Sequence, residues 1–216
     1  MTQGSQSSMP TRGNRIARCI SGMVRRARSE SGIAAVEFSL ILPVLVLLWI
    51  GGVEVTEALS VDRRINNLSS SIGDLVARSK VVTYSDVTSI LAIGPKAMYP
   101  SCDIAGKPTC ASQGLAMRIT AVDMDASGTG TVAWSRASGV TAYTAAADNS
   151  KMNTLVPSTL RVPNTQVIMS EVYYNYRPAV GYVITGTKAL SDRMYFVPRL
   201  VTKVQLCDDS NLNCVS

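Results

Sequence analysis

Residues 32–53 read Gly-Ile-Ala-Ala-Val-Glu-Phe-Ser-Leu-Ile-Leu-Pro-Val-Leu-Val-Leu-Leu-Trp-Ile-Gly-Gly-Val. From Ile33 to Val53 these are 21 residues with a single charge, Glu37. As an α-helix they rise about 31 Å, enough to cross the hydrocarbon core of a bilayer. The 32 residues before Ile33 hold six arginines (Arg12, Arg15, Arg18, Arg25, Arg26 and Arg28) and one acid, Glu30, a net of +5. No basic residue follows until Arg63. By the positive-inside rule the N-terminus is cytoplasmic and the rest of the chain lies outside the cytoplasm.

The same count disposes of a nucleic-acid reading. The chain has a formal charge of +6, but the 184 residues after Gly32 carry 15 Lys and Arg against 14 Asp and Glu. That is a net of +1 and no phosphate-binding stripe. At 216 residues, 46% hydrophobic and 17% charged, the chain is too apolar for a disordered protein and long enough for one ordinary domain with an appendage. It contains no histidine. That removes the commonest general base, the histidine-paired nucleophiles and most zinc sites. The glycine signatures G-x-x-x-x-G-K-[ST] and G-x-G-x-x-G are absent too. No catalytic residue, cofactor or metal ligand is expected, and the chain reads as a non-enzyme.

Three readings compete for the apolar run. A cleaved secretory signal needs a short apolar core and a small-x-small site, and Glu37 inside the run is wrong for it. A plain membrane anchor leaves Glu37 without a purpose, although a carboxylate near lipid is costly. The third reading uses it. Gly32, then Ile33-Ala34-Ala35-Val36, then Glu37-Phe38 directly after an arginine-rich leader resembles the processing site of type IV prepilins. It is similar in particular to that of the Flp-type and TadE-like pilins, and the chain resembles the TadE/TadG-like minor pilins, or pseudopilins, of Tad (tight adherence, type IVc) pilus systems. Asp74-Leu75-Val76-Ala77, Trp134-Ser135-Arg136, Glu171-Val172-Tyr173-Tyr174-Asn175-Tyr176-Arg177-Pro178 and Pro198-Arg199 resemble segments that recur in the same family.

The resemblance implies that a prepilin peptidase cuts after Gly32 and that Glu37 becomes the fifth residue of the mature chain. It implies a bacterial inner-membrane protein with a periplasmic C-terminal domain, reaching the cell exterior within the pilus and serving adhesion, biofilm formation or DNA uptake. The partners implied are the prepilin peptidase, other minor pilins, the major Flp-type pilin and the pilus assembly platform. The spacing has a physical logic. Cleavage frees a charged α-amine at Ile33, and one helical turn brings it level with Glu37 of its own or a neighbouring helix. A membrane-anchored periplasmic sensor or ligand-binding module is the rival from another class. N-terminal sequencing separates the two.

The expected organisation is a leader over residues 1–32, a transmembrane and assembly helix over 33–58, an amphipathic continuation over 59–79 and an extracytoplasmic domain over 80–216. Leu59, Ile65, Leu68, Ile72, Leu75 and Val76 supply the apolar stripe of the continuation. Ser85–Ile93 reads as a helix ending at Gly94-Pro95. Leu115–Asp125 and Thr131–Arg136 read as a hairpin, and Thr165–Arg177 and Arg193–Leu206 as two more strands. Pro198 puts the last of these at an edge or a bulge. The fold class is therefore α+β: a long pilin-type helix packed on an antiparallel sheet of about four strands.

Asp123-Met124-Asp125-Ala126-Ser127-Gly128 superficially matches the start of a calcium loop, but Trp134 stands where the bidentate glutamate belongs, so a hairpin turn is the better reading. Five cysteines are present. Cys19 lies in the leader and is expected to be unpaired. Cys102, Cys110, Cys207 and Cys214 allow three pairings in an oxidising compartment. Pairing 102 with 110 and 207 with 214 is favoured, because each closes a short loop.

Overall fold

The computed structural model describes residues 30–98, 114–178, 181, 184–210 and 213–215. The arginine-rich leader, Cys19, Cys102 and Cys110 lie outside these residues. Helix α1 runs Glu30–Ala77 with Pro43 inside it. The chain divides into two compact units, one ending at Gly52 and one comprising Val53–Ser216.

In the first unit α1 has no interior to enter. Ile33, Leu40, Leu48 and Trp49 are 63%, 70%, 68% and 72% exposed, and their large apolar neighbours are exposed as well. A helix can keep such a stretch because its backbone polar groups bond within the helix. Its side chains are then left to meet an apolar surrounding. This part of α1 is long and apolar enough to cross a membrane.

In the second unit α1 becomes one-sided. Ile65, Leu68, Ile72 and Val76 are buried, as the apolar period requires, while Leu59 and Leu75 of the expected stripe stay exposed. Beside these large residues runs a row of small ones, Ser69, Gly73 and Ala77, four apart and fully or nearly buried. A Cβ at Gly73 would lie 2.3 Å from the Phe196 ring. Ser69 Oγ donates to the Ser170 carbonyl at 3.2 Å. The small residues let the helix approach the sheet closely, and the large ones interleave with Met117, Ile119, Trp134, Ile168 and Val172.

That sheet is the expected four-stranded antiparallel one. Strands β2 (Leu115–Met124), β3 (Gly130–Ser138), β4 (Gln166–Tyr176) and β5 (Lys188–Phe196) lie in the order β3-β2-β4-β5. A bulge leaves Ala133 of β3 without an opposite residue, since Ala121 faces Trp134 and Val122 faces Val132. Trp134 consequently points into the α1 side of the sheet and Val132 into the other. Across the second face lies helix α3 (Ala145–Leu155), which the sequence reading did not anticipate. Its Met152 joins Val122, Met124, Val132, Val167 and Met169 in a second core.

Two further expectations are corrected. Helix α2 (Tyr84–Met98) does not stop at Gly94-Pro95. Leu91, Gly94 and Met98 form one buried face, and a Cβ at Gly94 would lie 2.3 Å from Met117 Sδ. Tertiary packing outweighs the backbone bond that Pro95 forgoes. The expected strand over 193–206 is two elements. β5 ends at Phe196, two residues before Pro198, and β6 (Gln205–Cys207) belongs to a separate small sheet. There β6 pairs in parallel with β1 (Val81–Thr83) and antiparallel with β7 (Cys214–Val215).

Candidate functional site

The residues singled out at the head of the apolar run lie on the first turns of α1. Ile33 and Glu37 are four apart and therefore share one side of the helix. Gly32, Ile33, Glu37 and Phe38 are all exposed. Among the described residues Glu37 has no hydrogen-bond or ion-pair partner; nearby, Ser39 Oγ bonds back to the Val36 carbonyl. Among the described residues nothing covers the seventeen-residue stretch from Ile33 to Trp49, in which Glu37 is the single charge.

The second unit treats its acids differently. Glu171, 1% exposed, faces Arg118 across β2–β4 and Arg193 across β4–β5. Arg118 Nε donates to Glu171 Oε2 at 2.7 Å, and Arg193 Nε to Oε1 at 2.8 Å. The Tyr173 hydroxyl donates to Oε1 and accepts from Arg118 Nη2. Arg118 also donates to the Thr141 carbonyl and stacks 3.4 Å from the Tyr143 ring centroid. Burial works against the Arg193 charge, but Glu171 outweighs it and holds the proton more tightly than usual. Burial, then the Glu171 charge, raises the Tyr173 and Tyr143 hydroxyls above their ordinary range. The cluster ties β2, β4 and β5 together at matching register positions.

What distinguishes the molecule is therefore the first helix, and comparison with known families falls there. Residues 32–71 match the family described as TadE-like protein. These residues are similar to that family. The TadE-like family is one of pilus components rather than enzymes. No curated protein and no solved structure matches the chain.

The TadE-like segment ends within the packed part of α1, just before Asp74. There two of the resembling words meet. Asp74 pairs with Arg199 at 2.9 Å and with Arg78 at 2.7 Å, and the Arg199 amide donates to the Ala77 carbonyl at the helix end. The other words are internal supports as well. The Trp134 indole donates to the Val204 carbonyl, Arg136 stacks on Tyr84, and Glu171 centres the arginine cluster. In the tyrosine word, Tyr176 is buried on the α1 side of the sheet and Tyr173 lies on the opposite side. Sequence reading missed Arg118 and Arg193. For Arg118 the available signal was an arginine inside the apolar strand Leu115–Met124; Arg193, beside Asp192 in the mixed strand Lys188–Phe196, carried no such signal.

The calcium-like stretch is a turn. Asp125 Oδ1 accepts from the amides of Ser127 and Thr129 and from the Ser127 hydroxyl. The Ser127 hydroxyl first, and then these amides, hold the carboxyl below its usual range. No metal-holding group of three acidic, cysteine or histidine side chains occurs among the described residues. Cys207 and Cys214 are joined by a disulfide across β6 and β7.

Proposed function

We propose that this chain is a minor pilin or pseudopilin of a Tad-type (type IVc) pilus. It is inserted in the inner membrane with its N-terminus in the cytoplasm and its C-terminal domain in the periplasm. A prepilin peptidase trims it after Gly32, and its apolar helix packs among those of other minor pilins and the major Flp-type pilin on the assembly platform. The observation that carries this reading is the exposed apolar face of α1 within the TadE-like match, with Glu37 one turn from Ile33. After trimming, the Ile33 amine and the positive end of the helix supply the positive partner that Glu37 lacks among the described residues. Adhesion and biofilm formation are the biology such a filament would serve.

N-terminal sequencing of membrane-extracted protein tests the first step. A chain starting at Ile33 is expected, and Gly32→Leu should leave the leader attached. Photocrosslinkers at Val36, Leu40 and Val44, one helical stripe, test the second. Capture of pilin helices supports assembly. Capture of lipid alone, with protein partners found only on the sheet, returns the chain to a membrane-anchored sensor.

A further inference from the structure

Helix α2 begins where three separate parts of the second unit converge. Thr83, its N-cap, accepts the Asp86 amide on Oγ1 at 3.1 Å, and Asp86 Oδ2 accepts the Thr83 amide at 2.9 Å. This reciprocal pair satisfies two of the donors that a helix start leaves open. The next, the Ser85 amide, points away from the pair. It donates to Asp209 Oδ1 at 2.9 Å, across 124 positions of sequence. Asp209 lies between Cys207 and Cys214, and Cys207 stands directly beside Thr83 in the parallel β1–β6 ladder. Asp208 folds the same loop: its amide donates to the Asn213 carbonyl, and its carboxylate accepts from Ser210 Oγ and Asn213 Nδ2. One strand residue therefore carries the disulfide, flanks the cap of α2 and leads to the carboxylate that completes it.

We propose that the Cys207–Cys214 disulfide is a redox latch for α2, acting through Asp209. On oxidation each thiol gives up one proton and one electron to a disulfide of an exchange partner, which leaves as two thiols, and the Cys207–Cys214 bond forms. The closed loop presents Asp209 to Ser85 and fixes the first turn of α2. With the thiols reduced, β7 is no longer stapled to β6, and Asp209 spends much of its time away from the helix. The first turns of α2 wall a cleft of about 400 Å³ against the end of α1, lined by Leu75, Ser79, Val82, Asp86, Ser89 and Ile90. The latch thus makes the shape of this face depend on arrival in an oxidising compartment. The inference does not rest on pilus assembly, since the contacts lie within the second unit.

Hydrogen exchange followed by mass spectrometry on the full chain in detergent micelles tests it as a cycle. Asp209→Ala in oxidised protein should speed exchange of the residue 85–88 amides roughly 3- to 30-fold, the range of a lost helix cap. In the Cys207→Ser/Cys214→Ser protein those amides should already exchange fast, and adding Asp209→Ala should change them by less than about twofold. Should the double variant fail to fold, wild-type protein reduced with a phosphine replaces it. Equal acceleration by Asp209→Ala in both backgrounds would show that the cap is independent of the disulfide and overturn the latch. So would no acceleration in oxidised protein, or equal loss of protection in α2, β2 and β4 on reduction, which would mark a general staple.

Discussion

The stretch of α1 up to Gly52 and the unit from Val53 onward use the same residue types to opposite ends. Glu37 is exposed with no partner among the described residues, whereas Glu171 is buried between two guanidinium groups and a phenol. A Cβ at Gly52 would meet nothing within 4 Å, whereas one at Gly73 would strike Phe196. Leucines and valines line the outside of the first region, whereas in the second Leu68, Val76, Val122 and Val172 are among those buried in the core and Leu59 and Leu200 among those left exposed. The second unit buries a core of its own, and the first leaves its apolar side chains uncovered among the described residues.

The comparison breaks most plainly on solubility. A chain beginning at Val53 is expected to remain in solution and mostly monomeric without detergent, while the full chain requires it. Starting at Val53 rather than near Leu59 keeps Glu54, which is buried and accepts the Ile184 amide at 3.1 Å. Ultracentrifugation in detergent-free buffer checks this; aggregation of the shorter chain would mean that the second unit also exposes an interface. The two glutamates come next. Glu171→Ala strands two arginines in or near the core and should cost about 3–5 kcal/mol in chemical denaturation. Glu37→Ala should leave that midpoint within about 0.5 kcal/mol and preserve trimming, yet block filament incorporation. Normal incorporation of the Glu37 variant would remove the amine-pairing role.

The two glycines sharpen the contrast at smaller scale. Gly73→Ala forces the Phe196 ring aside and should destabilise by about 1–3 kcal/mol. Gly52→Ala should be neutral or gain up to about 1 kcal/mol from helix propensity alone. Equal losses at both positions in a denaturation series would deny that only one of them is in a packed contact. The smallest expected effect is on pH. The carboxyls of Asp86, Asp125 and Asp148 are held low by the Thr83 amide, the Ser127 hydroxyl and the Lys151 ammonium respectively. A carboxyl lowered on folding stabilises fully above its unfolded value near 3.9 and loses that contribution as pH falls through the folded value. Urea midpoints should therefore fall slightly on acidification below about pH 4. A midpoint that rises there would contradict the assignment.

How much of this was legible depends on how local the physics is. An uninterrupted apolar run, an arginine leader and a glycine-to-glutamate spacing are all written in adjacent residues. The membrane-competent helix and its candidate processing site could be read directly for that reason. Alternation and turn residues likewise marked β2, β3 and β4 within a residue or two. α3 escaped because its sequence, Ala-Ala-Ala-Asp-Asn-Ser-Lys-Met-Asn-Thr-Leu, has little apolar period. It is held by Asn149 and Asn153, whose side chains accept the edge amides of Val132 and Gly130. Pro95 and Pro198 misled in opposite directions, one lying inside a helix and the other just past the end of a strand.

The sequence alone determined that one helix is long and apolar enough to cross a membrane, because the 21 residues from Ile33 to Val53 carry a single charge. It also determined the α+β class, since periodicity is a property of neighbours along the chain. Only the tertiary structure decided that Arg118, Glu171 and Arg193 stand in line across three strands, that Gly73 seats α1 against Phe196, and that Asp209 completes a helix 124 residues away. Those pairings depend on strand order and register. These are settled by the whole set of packed side chains at once and leave no mark in any short stretch of sequence.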